Sequence, residues 1–335
     1  MKVLLYTENE KLVGKSGLGK AIKHQQMALE KADVSYTLNV KDAYDILHVN
    51  TYFPKSYMLV KSAKKHNKKI VYHAHSTEED YRNGFIFGKQ TASLFKKWLM
   101  KCYNLGDVLI TPTPYSKKLL ESYGIDKKIY TISNGIELQK FKKNAKSGEI
   151  FRKKYGYTKE DKVIIGIGLY IERKGIVDFV ELAKRMPEYK FIWFGYSPPA
   201  AATRPVKKAL KTKLDNLTFA GYVEQEMIVN AMNGCDLYIF PTFEETEGIP
   251  VIEACACYCK ALIRDIPVFD DWLIDGKNIY KAKDVNEFEK KIKQIINEEL
   301  PDLTKEAYQV AYERRIEVVG EQLKRVYTDV INNKY

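Results

Sequence analysis

The stretch PTFEETEGIPVIEA (241–254) directly follows the apolar run DLYIF (236–240). The run is short, branched and aromatic, and reads as a buried strand. Residues 241–248 are polar and end in Gly248, which makes them a loop. Pro250 suits a first helical position, because its φ is preset and its missing N–H is not needed there. Strand, loop and helix in that order form the repeating unit of a parallel sheet covered by helices. This reading places Glu253 in the first helical turn. It leaves backbone N–H groups from Thr246 to Val251, those of Gly248 and Ile249 among them, available to a phosphate. A first-turn glutamate also answers the helix dipole with no ligand at all. A carboxylate is equally a good acceptor for sugar hydroxyls, so both readings of Glu253 stand at this point.

The same unit recurs in both directions. In the second half VIIGIG (163–168), KFIWFG (190–195) and LTFAGY (217–222) read as strands, and CKALI (259–263) as a fifth. Helices are predicted near 175–186, 224–233, 250–258 and 286–298. In the first half the strands are VLLY (3–6), SYTLNV (35–40), DILHV (45–49), KIVYHAH (69–75), VLIT (108–111) and IYTIS (129–133). Helices are predicted near 19–31, 55–66, 90–104 and 115–123. Alternating strands and helices imply parallel, doubly wound sheets. A chain of 335 residues exceeds the usual size of one core. The expectation is an α/β protein of two tandem Rossmann-like domains. FKKNAKSGE (141–149) is the best linker, which gives domains at 1–142 and 148–317. The last helical pattern, about 303–332, is read as one helix, and its end, about 318–335, is expected to pack back on the first domain. Ligands bind beyond the carboxyl ends of such strands. Two facing domains therefore predict an active site in the cleft between them.

Charge is unevenly spread. Residues 1–140 hold 23 Lys and Arg against 13 Asp and Glu, which is +10 of the total +12. A cationic first half suits an anionic partner, nucleic acid or acidic lipid. No zinc, RRM or recognition-helix signature supports nucleic acid, so no nucleic-acid partner is expected. The N-terminal MKVLLYTENE reads as a buried strand rather than a signal peptide. No apolar run reaches the ~20 residues of a membrane span, and a cytoplasmic location is expected. Cys255, Cys257 and Cys259 are spaced like metal ligands, but on one helix Cys257 would point away from the other two. All five histidines precede residue 76, so no zinc set closes. Buried thiols and no metal are the reading.

Three further motifs carry chemistry. KSGLGK (15–20) follows the first strand and opens the first helix, where Gly17 and Gly19 let backbone approach an anion. It is not GxGxxG, and no well-placed acid ends the second strand, so dinucleotide binding is disfavoured. GIGLYIERKG (166–175) ends a strand and places Arg173 and Lys174 where a pyrophosphate would sit. VYHAHST (71–77) ends a strand with His73 and His75, which alternation alone does not separate.

Glu245 and Glu253 are separated by seven residues. With the upstream RKG element and the tandem Rossmann-like units, this resembles the E-x7-E signature of GT-B retaining glycosyltransferases, family 4. The resemblance covers nearly the whole chain. It implies that the residue matching Glu253 binds the nucleotide ribose and the one matching Glu245 lies by the donor hexose and its leaving phosphate. Arg173 and Lys174 would neutralise the diphosphate, so that no cofactor and no metal is needed. The family's GR-x-x-x-x-KG pattern places an arginine where this chain has Leu169, and Arg173 is expected to supply that charge. SNGI (133–136) resembles the family's NG element, which sets Asn134 and Gly135 facing the donor. The resemblance also assigns His75 to the donor sugar. Glu244 and Glu247 are expected to be bystanders.

The first domain is expected to hold the acceptor. GKQTASLFKKWLMKCYN (88–104) puts Leu94, Phe95, Trp98, Leu99 and Cys102 on one helical face flanked by lysines, and SYMLVKSAKKHNKK (56–69) repeats the theme. Basic amphipathic helices with aromatics suit an anionic membrane surface. Every helix covering a sheet is amphipathic as well, and Trp98 could face the sheet. MKVLLYTENEKLVGKSGLGKAIKHQ is similar to the start of the bacterial diacylglycerol glycosyltransferases, diglucosyl-diacylglycerol synthases in particular. That similarity implies a UDP-sugar donor, glucose or galactose, and a monoglucosyl-diacylglycerol acceptor at the inner face of the cell membrane. A first-sugar enzyme using diacylglycerol and a soluble family-4 enzyme acting on cell-wall, capsule or protein glycan are the alternatives.

Overall fold

The computed structural model describes residues 1–9, 14, 17–84, 88–198 and 202–335. Lys15 and Ser16 of the KSGLGK stretch lie outside the described residues. The chain divides into two compact units. Unit 1 is Met1–Arg82, Gln90–Glu137 and Arg314–Tyr335; unit 2 is Asn83–Lys89 and Leu138–Glu313.

Unit 1 opens with β1 (Lys2–Tyr6), α1 (Gly17–Lys31), β2 (Ser35–Thr37), β3 (Ile46–Val49) and α2 (Pro54–Lys65). It continues through β4 (Lys69–His73), α3 (Glu78–Gly84), α4 (Gly88–Tyr103), β5 (Val108–Thr111), α5 (Pro114–Ser122) and β6 (Lys128–Thr131). Its sheet runs β2-β1-β3-β4-β5-β6, with every pair parallel. The central strands are buried along their length, as in ILHV of β3 and VLIT of β5. That is why they read as continuous apolar runs instead of alternating ones.

Unit 2 follows with α6 (Ala145–Tyr155), β7 (Val163–Ile167), α7 (Ile176–Arg185), β8 (Lys190–Phe194), α8 (Arg204–Leu210), β9 (Leu217–Gly221), α9 (Gln225–Gly234), β10 (Leu237–Phe240) and α10 (Ile249–Ala256). It closes with β11 (Ala261–Arg264), β12 (Tyr280–Ala282), α11 (Val285–Ile296) and α12 (Thr304–Glu313). The sheet order β12-β11-β10-β7-β8-β9 is the doubly wound order, again all parallel. The winding reverses between β7 and β10 in unit 2, and between β1 and β3 in unit 1. At each reversal the loops leave in opposite directions and open a crevice beyond the strand ends.

Three sequence expectations change. The stretch 141–149 is not a linker. Asn144 caps α6, its side chain accepting from the N–H groups of Lys146 and Ser147. Gly148 lies against α9, where a Cβ would sit 2.5 Å from the Asn233 carbonyl oxygen. The polar composition reflects a cap and a small-residue helix crossing. Secondly, the pattern 303–332 is two helices, α12 and α13 (Ile316–Ile331). The chain is extended at Arg315, which bridges Ile136; the Ile136 N–H donates to the Arg314 carbonyl at 3.0 Å. No Pro or Gly marks that break. Finally, β12 was not foreseen. It is three residues long and carries Lys281, buried and paired with Asp270 at 3.1 Å.

α13 completes unit 1. Val319, Leu323, Val326 and Val330 pack with Ala28 and Leu29 of α1 and Val3 of β1 in one buried cluster. The helices approach so closely that a Cβ on Gly320 would lie 2.3 Å from the Ala28 carbonyl oxygen. A larger side chain must push the two helices apart. Overpacking of this kind costs about 1–3 kcal/mol. We expect Gly320→Val to lower the unfolding temperature of unit 1, followed by calorimetry; an unchanged transition would show that the α1–α13 contact is not tight.

Candidate active site

The predicted site residues fall into two sets, one in each unit. The set in unit 2 is ionic. Glu172–Lys174 form a single 3-10 turn after β7, closed by Gly175 at φ +76. A Cβ on Gly175 would sit 2.1 Å from the Pro241 carbonyl oxygen, so only glycine lets the two loops meet. Backbone bonds then lock them. The Phe243 N–H donates to the Arg173 carbonyl at 2.7 Å, and the Thr242 hydroxyl oxygen lies 3.1 Å from the same carbonyl oxygen.

Glu245 is buried at this junction. Its Oε1 accepts from Lys174 Nζ and, at 2.9 Å, from the Thr242 hydroxyl; Arg173 Nη1 is 3.7 Å away. Burial alone would raise its pKa. Lys174, Arg173 and the two hydrogen bonds outweigh that and hold the carboxyl below its usual value. Arg173 also donates to the Glu244 carbonyl at 2.6 Å. Arg173 thus reaches the carboxylate from its own position in the turn, while Leu169 is 43% exposed and contributes nothing to the cluster. Thr242 was missed by sequence reasoning. Its position, two residues beyond a central strand at the sheet's reversal, was the signal available.

Gly248 adopts φ +91, and α10 therefore starts at Ile249, one residue ahead of Pro250. Glu253 consequently lies in the second turn, not the first. The helix dipole acts mainly on the first turn, so it does not account for this acid. Glu253 is fully buried, and with Glu245 it helps raise the pKa of Tyr238, a β10 phenol that burial already pushes up. Glu247 is no solvated bystander, being 1% exposed; Glu244 contributes its backbone carbonyl. Thr246 is half-buried and Ile249 is buried at the start of α10. Cys257 is the C-cap of α10, with Cys259 beyond it, and Cys235 Sγ lies 3.3 Å from Cys259 Sγ. All five cysteines are free thiols, and among the described residues no group of three or more His, Cys, Asp or Glu could hold a metal ion.

The set in unit 1 is neutral. His75 follows β4 and donates from Nε2 to Asn50 Oδ1 at 2.9 Å. Its ring stacks on His73 with centroids 3.9 Å apart. Gln25 of α1 donates to Asn50 Oδ1 at 2.9 Å and to His73 Nδ1 at 2.8 Å. His48 Nε2 lies 3.2 Å from His73 Nδ1, and the Tyr327 hydroxyl lies 2.6 Å from His48 Nδ1. Burial, and then the neighbouring ring of His48, push the pKa of His75 down to about 3. Burial does the same to His48, and His73 is lowered well below its usual value by burial and the other two rings. Gln25, Asn50 and His48 were not foreseen. Asn50 directly follows β3, at the reversal of its sheet. Gly135 has φ +81; its carbonyl and that of Asn134 accept from His24 Nδ1 at 2.9 and 3.2 Å. Gly17 and Gly19 are the first and third residues of α1, and a Cβ on Gly17 would meet open space.

The basic helices of unit 1 are partly spent on their own core. Leu99 and Cys102 are buried, Phe95 stacks on Tyr81, and the Trp98 indole N–H donates to the Tyr52 carbonyl at 2.7 Å. Trp98 therefore faces inward. Leu94 at 71% and Met58 at 68% exposure are what the two helices present, and Lys61 and Lys101 both lie over the Tyr57 ring. No helix among the described residues is long and apolar enough to cross a membrane.

Two doubly wound units, each with its polar residues at the reversal of its sheet, define a GT-B glycosyltransferase fold. Residues 147–314 match the family described as Glycosyl transferases group 1, and residues 28–140 match Glycosyltransferase Family 4. Over 335 residues, all of both chains, the sequence is 40% identical to the Processive diacylglycerol alpha-glucosyltransferase of Acholeplasma laidlawii. It is 23% identical over 277 residues, 80% of this chain and 74% of the other, to the Alpha-galactosylglucosyldiacylglycerol synthase of Streptococcus pneumoniae. The fold matches HepE of Anabaena in complex with UDP-glucose with a TM-score of 0.78, over 98% of this chain and 100% of that one, at 15% identity. Sucrose-phosphate synthase from Thermosynechococcus elongatus gives 0.83 at 14% identity over 99% and 100%. The chain belongs to glycosyltransferase family 4 and is a glycosyltransferase.

Glu245 sets a pH test. A carboxyl with a lowered folded pKa contributes stability above the usual 4.5 and loses it as pH falls through the lowered value. Lys174→Ala leaves burial opposed chiefly by Arg173, so the folded pKa rises. The variant then loses stability as pH rises through that value. We expect a deficit of about 3 kcal/mol near neutral pH that narrows toward pH 4.5 in thermal unfolding; a deficit constant with pH would contradict the ion-pair account.

Proposed function

We propose that the enzyme moves a hexose, glucose or galactose, from a UDP-sugar to a membrane glycolipid, monoglucosyl-diacylglycerol in the first instance, with retention of the anomeric configuration. The observation that carries this reading is the convergence of Lys174 and Arg173 on buried Glu245 at the reversal of the unit 2 sheet. Those cations would take up the charge of the leaving diphosphate, the electrostatic work that dominates such transfers, and no metal is invoked. Glu253 would bind the ribose hydroxyls. Glu245, Gly248 and the N–H groups of Thr246 and Ile249 would hold the hexose and its phosphate. In unit 1, Gly17, Gly19, Asn134, Gly135 and His75 would complete the donor and acceptor contacts. The bond between the anomeric carbon and the β-phosphate oxygen breaks as the acceptor oxygen bonds to that carbon on the same face. The acceptor proton passes to the leaving phosphate, with no covalent intermediate.

The names of the two lipid-glycosylating relatives support a diacylglycerol-based acceptor. The word diacylglycerol in the name of the 40% identical relative also favours a second reading, in which free diacylglycerol accepts the first sugar. The exposed lysines of unit 1 support docking on the cytoplasmic face of an anionic membrane.

Purified protein given UDP-glucose or UDP-galactose with each lipid in anionic micelles, read by product mass and anomeric NMR, tests the assignment. We expect an α-linked product from an α-donor, and loss of turnover by about 100-fold or more in Glu245→Ala and Lys174→Ala with the fold intact. Turnover with neither lipid would remove the lipid assignment, and full activity in both variants would remove the site. Sedimentation with anionic liposomes should show binding that weakens with salt; absence of binding at low salt would favour a soluble glycan acceptor.

A further inference from the structure

The hydrogen bonds of unit 1 have one direction, and it starts at a phenol on the C-terminal helix. The Tyr327 side chain is fully buried, and its hydroxyl has one hydrogen-bond partner among the described residues, His48 Nδ1 at 2.6 Å. A buried O–H must donate, so His48 Nδ1 is the acceptor. A neutral imidazole carries its one proton on the other nitrogen, so His48 Nε2 donates to His73 Nδ1 at 3.2 Å. His73 Nδ1 is therefore a lone pair. The Gln25 group 2.8 Å from it must be the amide NH2, which also donates to Asn50 at 2.9 Å. The Asn50 atom there must be the oxygen, and the His75 nitrogen 2.9 Å from that oxygen must carry a proton. Each step excludes the flipped amide or the other tautomer, which leaves Tyr327 without an acceptor.

We propose that Tyr327, acting through His48, His73, Gln25 and Asn50, fixes His75 as the Nε2–H tautomer, so that its Nδ1 is a permanent acceptor for a hydroxyl of the sugar or glycerol substrate. Tyr327, His48, Gln25 and Asn50 are positioning residues on this account, and His75 alone touches substrate. The ring stays neutral across the physiological range because burial depresses its pKa. It recognises a hydroxyl instead of trading protons. Gln25 Oε1, Asn50 Nδ2 and His73 Nε2 are buried with no hydrogen-bond partner among the described residues, which leaves two donors and an acceptor in the same cluster for ordered water. The inference rests on the proposed function only in placing His75 at a hydroxylated substrate.

The test is long-range 1H–15N NMR of histidine-labelled full-length protein, with His75→Gln to assign the ring. The wild type should show His75 protonated at Nε2 and bare at Nδ1. Tyr327→Phe removes one oxygen and keeps the ring, so the fold is retained. It unpins the relay, and His75 should then populate both tautomers. Asn50→Asp retains the acceptor oxygen and should keep Nε2–H, whereas Asn50→Leu should not. In the glycosyltransfer assay Tyr327→Phe should lower kcat about tenfold, the worth of one net hydrogen bond, with the donor KM within about twofold. His75 protonated at Nδ1 in the wild type, or tautomer populations unmoved by Tyr327→Phe, overturns the inference. If the tautomers behave as expected but neither lipid is glycosylated, the relay stands and the acceptor assignment alone fails.

Discussion

A carboxylate removed from water survives only when its charge is matched, and Glu245 is the place where this chain meets that condition. The unpaired ion would cost several kcal/mol, so the loop after β7 and the loop after β10 cannot be arranged independently. Lys174 and Arg173 come from the first, Glu245 and Thr242 from the second. The Glu244 carbonyl holds the guanidinium and the Glu245 carboxylate holds the ammonium before any ligand arrives. Preorganised charge of this kind costs no reorganisation when a diphosphate replaces or joins the carboxylate. Arg264 repeats the device one strand over. It is buried at the end of β11, donates to the Pro241 carbonyl at 3.0 Å and pairs with Asp178 of α7.

Two glycines make that arrangement sterically possible. Gly175 allows the β7 loop to touch Pro241, and Gly195, at φ +136, lies so close to Gly168 that a Cβ would overlap its carbonyl oxygen at 1.9 Å. The RKG glycine therefore serves the meeting of the β7 and β10 loops, and Gly195 the close approach of the end of β8 to the end of β7. Gly248 acts differently. Its left-handed conformation resets the start of α10 and carries Glu253 one residue further into the helix, past the first turn, than a count from Pro250 gives.

The fold was legible because its strands are buried on both faces. Runs such as VLLY, VIIGIG and DLYIF admit few other readings, and the spacing between them forces parallel pairing. What stayed hidden was structure without an apolar signature. β12 is short and holds a buried lysine, α6 begins in a stretch as polar as a loop, and the break before α13 is made by a backbone bridge to Ile136. The ionic half of the site was readable as a motif, since Arg173, Lys174, Glu245 and Glu253 keep a recognisable order along the chain. The neutral half was readable only at His75. Gln25 comes from α1, His48 and Asn50 from the end of β3 and Tyr327 from α13, and they meet only in three dimensions. Trp98 illustrates the opposite error. Helical periodicity placed it correctly on the apolar face, but could not tell a face turned to the sheet from one turned outward.

The contrast between the two sets follows from what each has available. Unit 2 gathers formal charges and pairs them, which suits a ligand that is itself an anion and whose negative charge grows as its bond breaks. Unit 1 carries most of the excess positive charge of the sequence, yet its buried polar cluster holds none. Three imidazoles stacked in series, 5.3 and 3.9 Å apart, would repel as cations, and burial makes even one imidazolium costly. The cluster resolves this by staying neutral and spending its protons on one another. Neutral donors and acceptors of fixed direction discriminate hydroxyls well, because a misplaced hydroxyl leaves a buried group unpaired. The lysines are then left at the surface, where desolvation is small and charge is free to act on an anionic partner. Charge in this protein is thus segregated by depth as well as by domain.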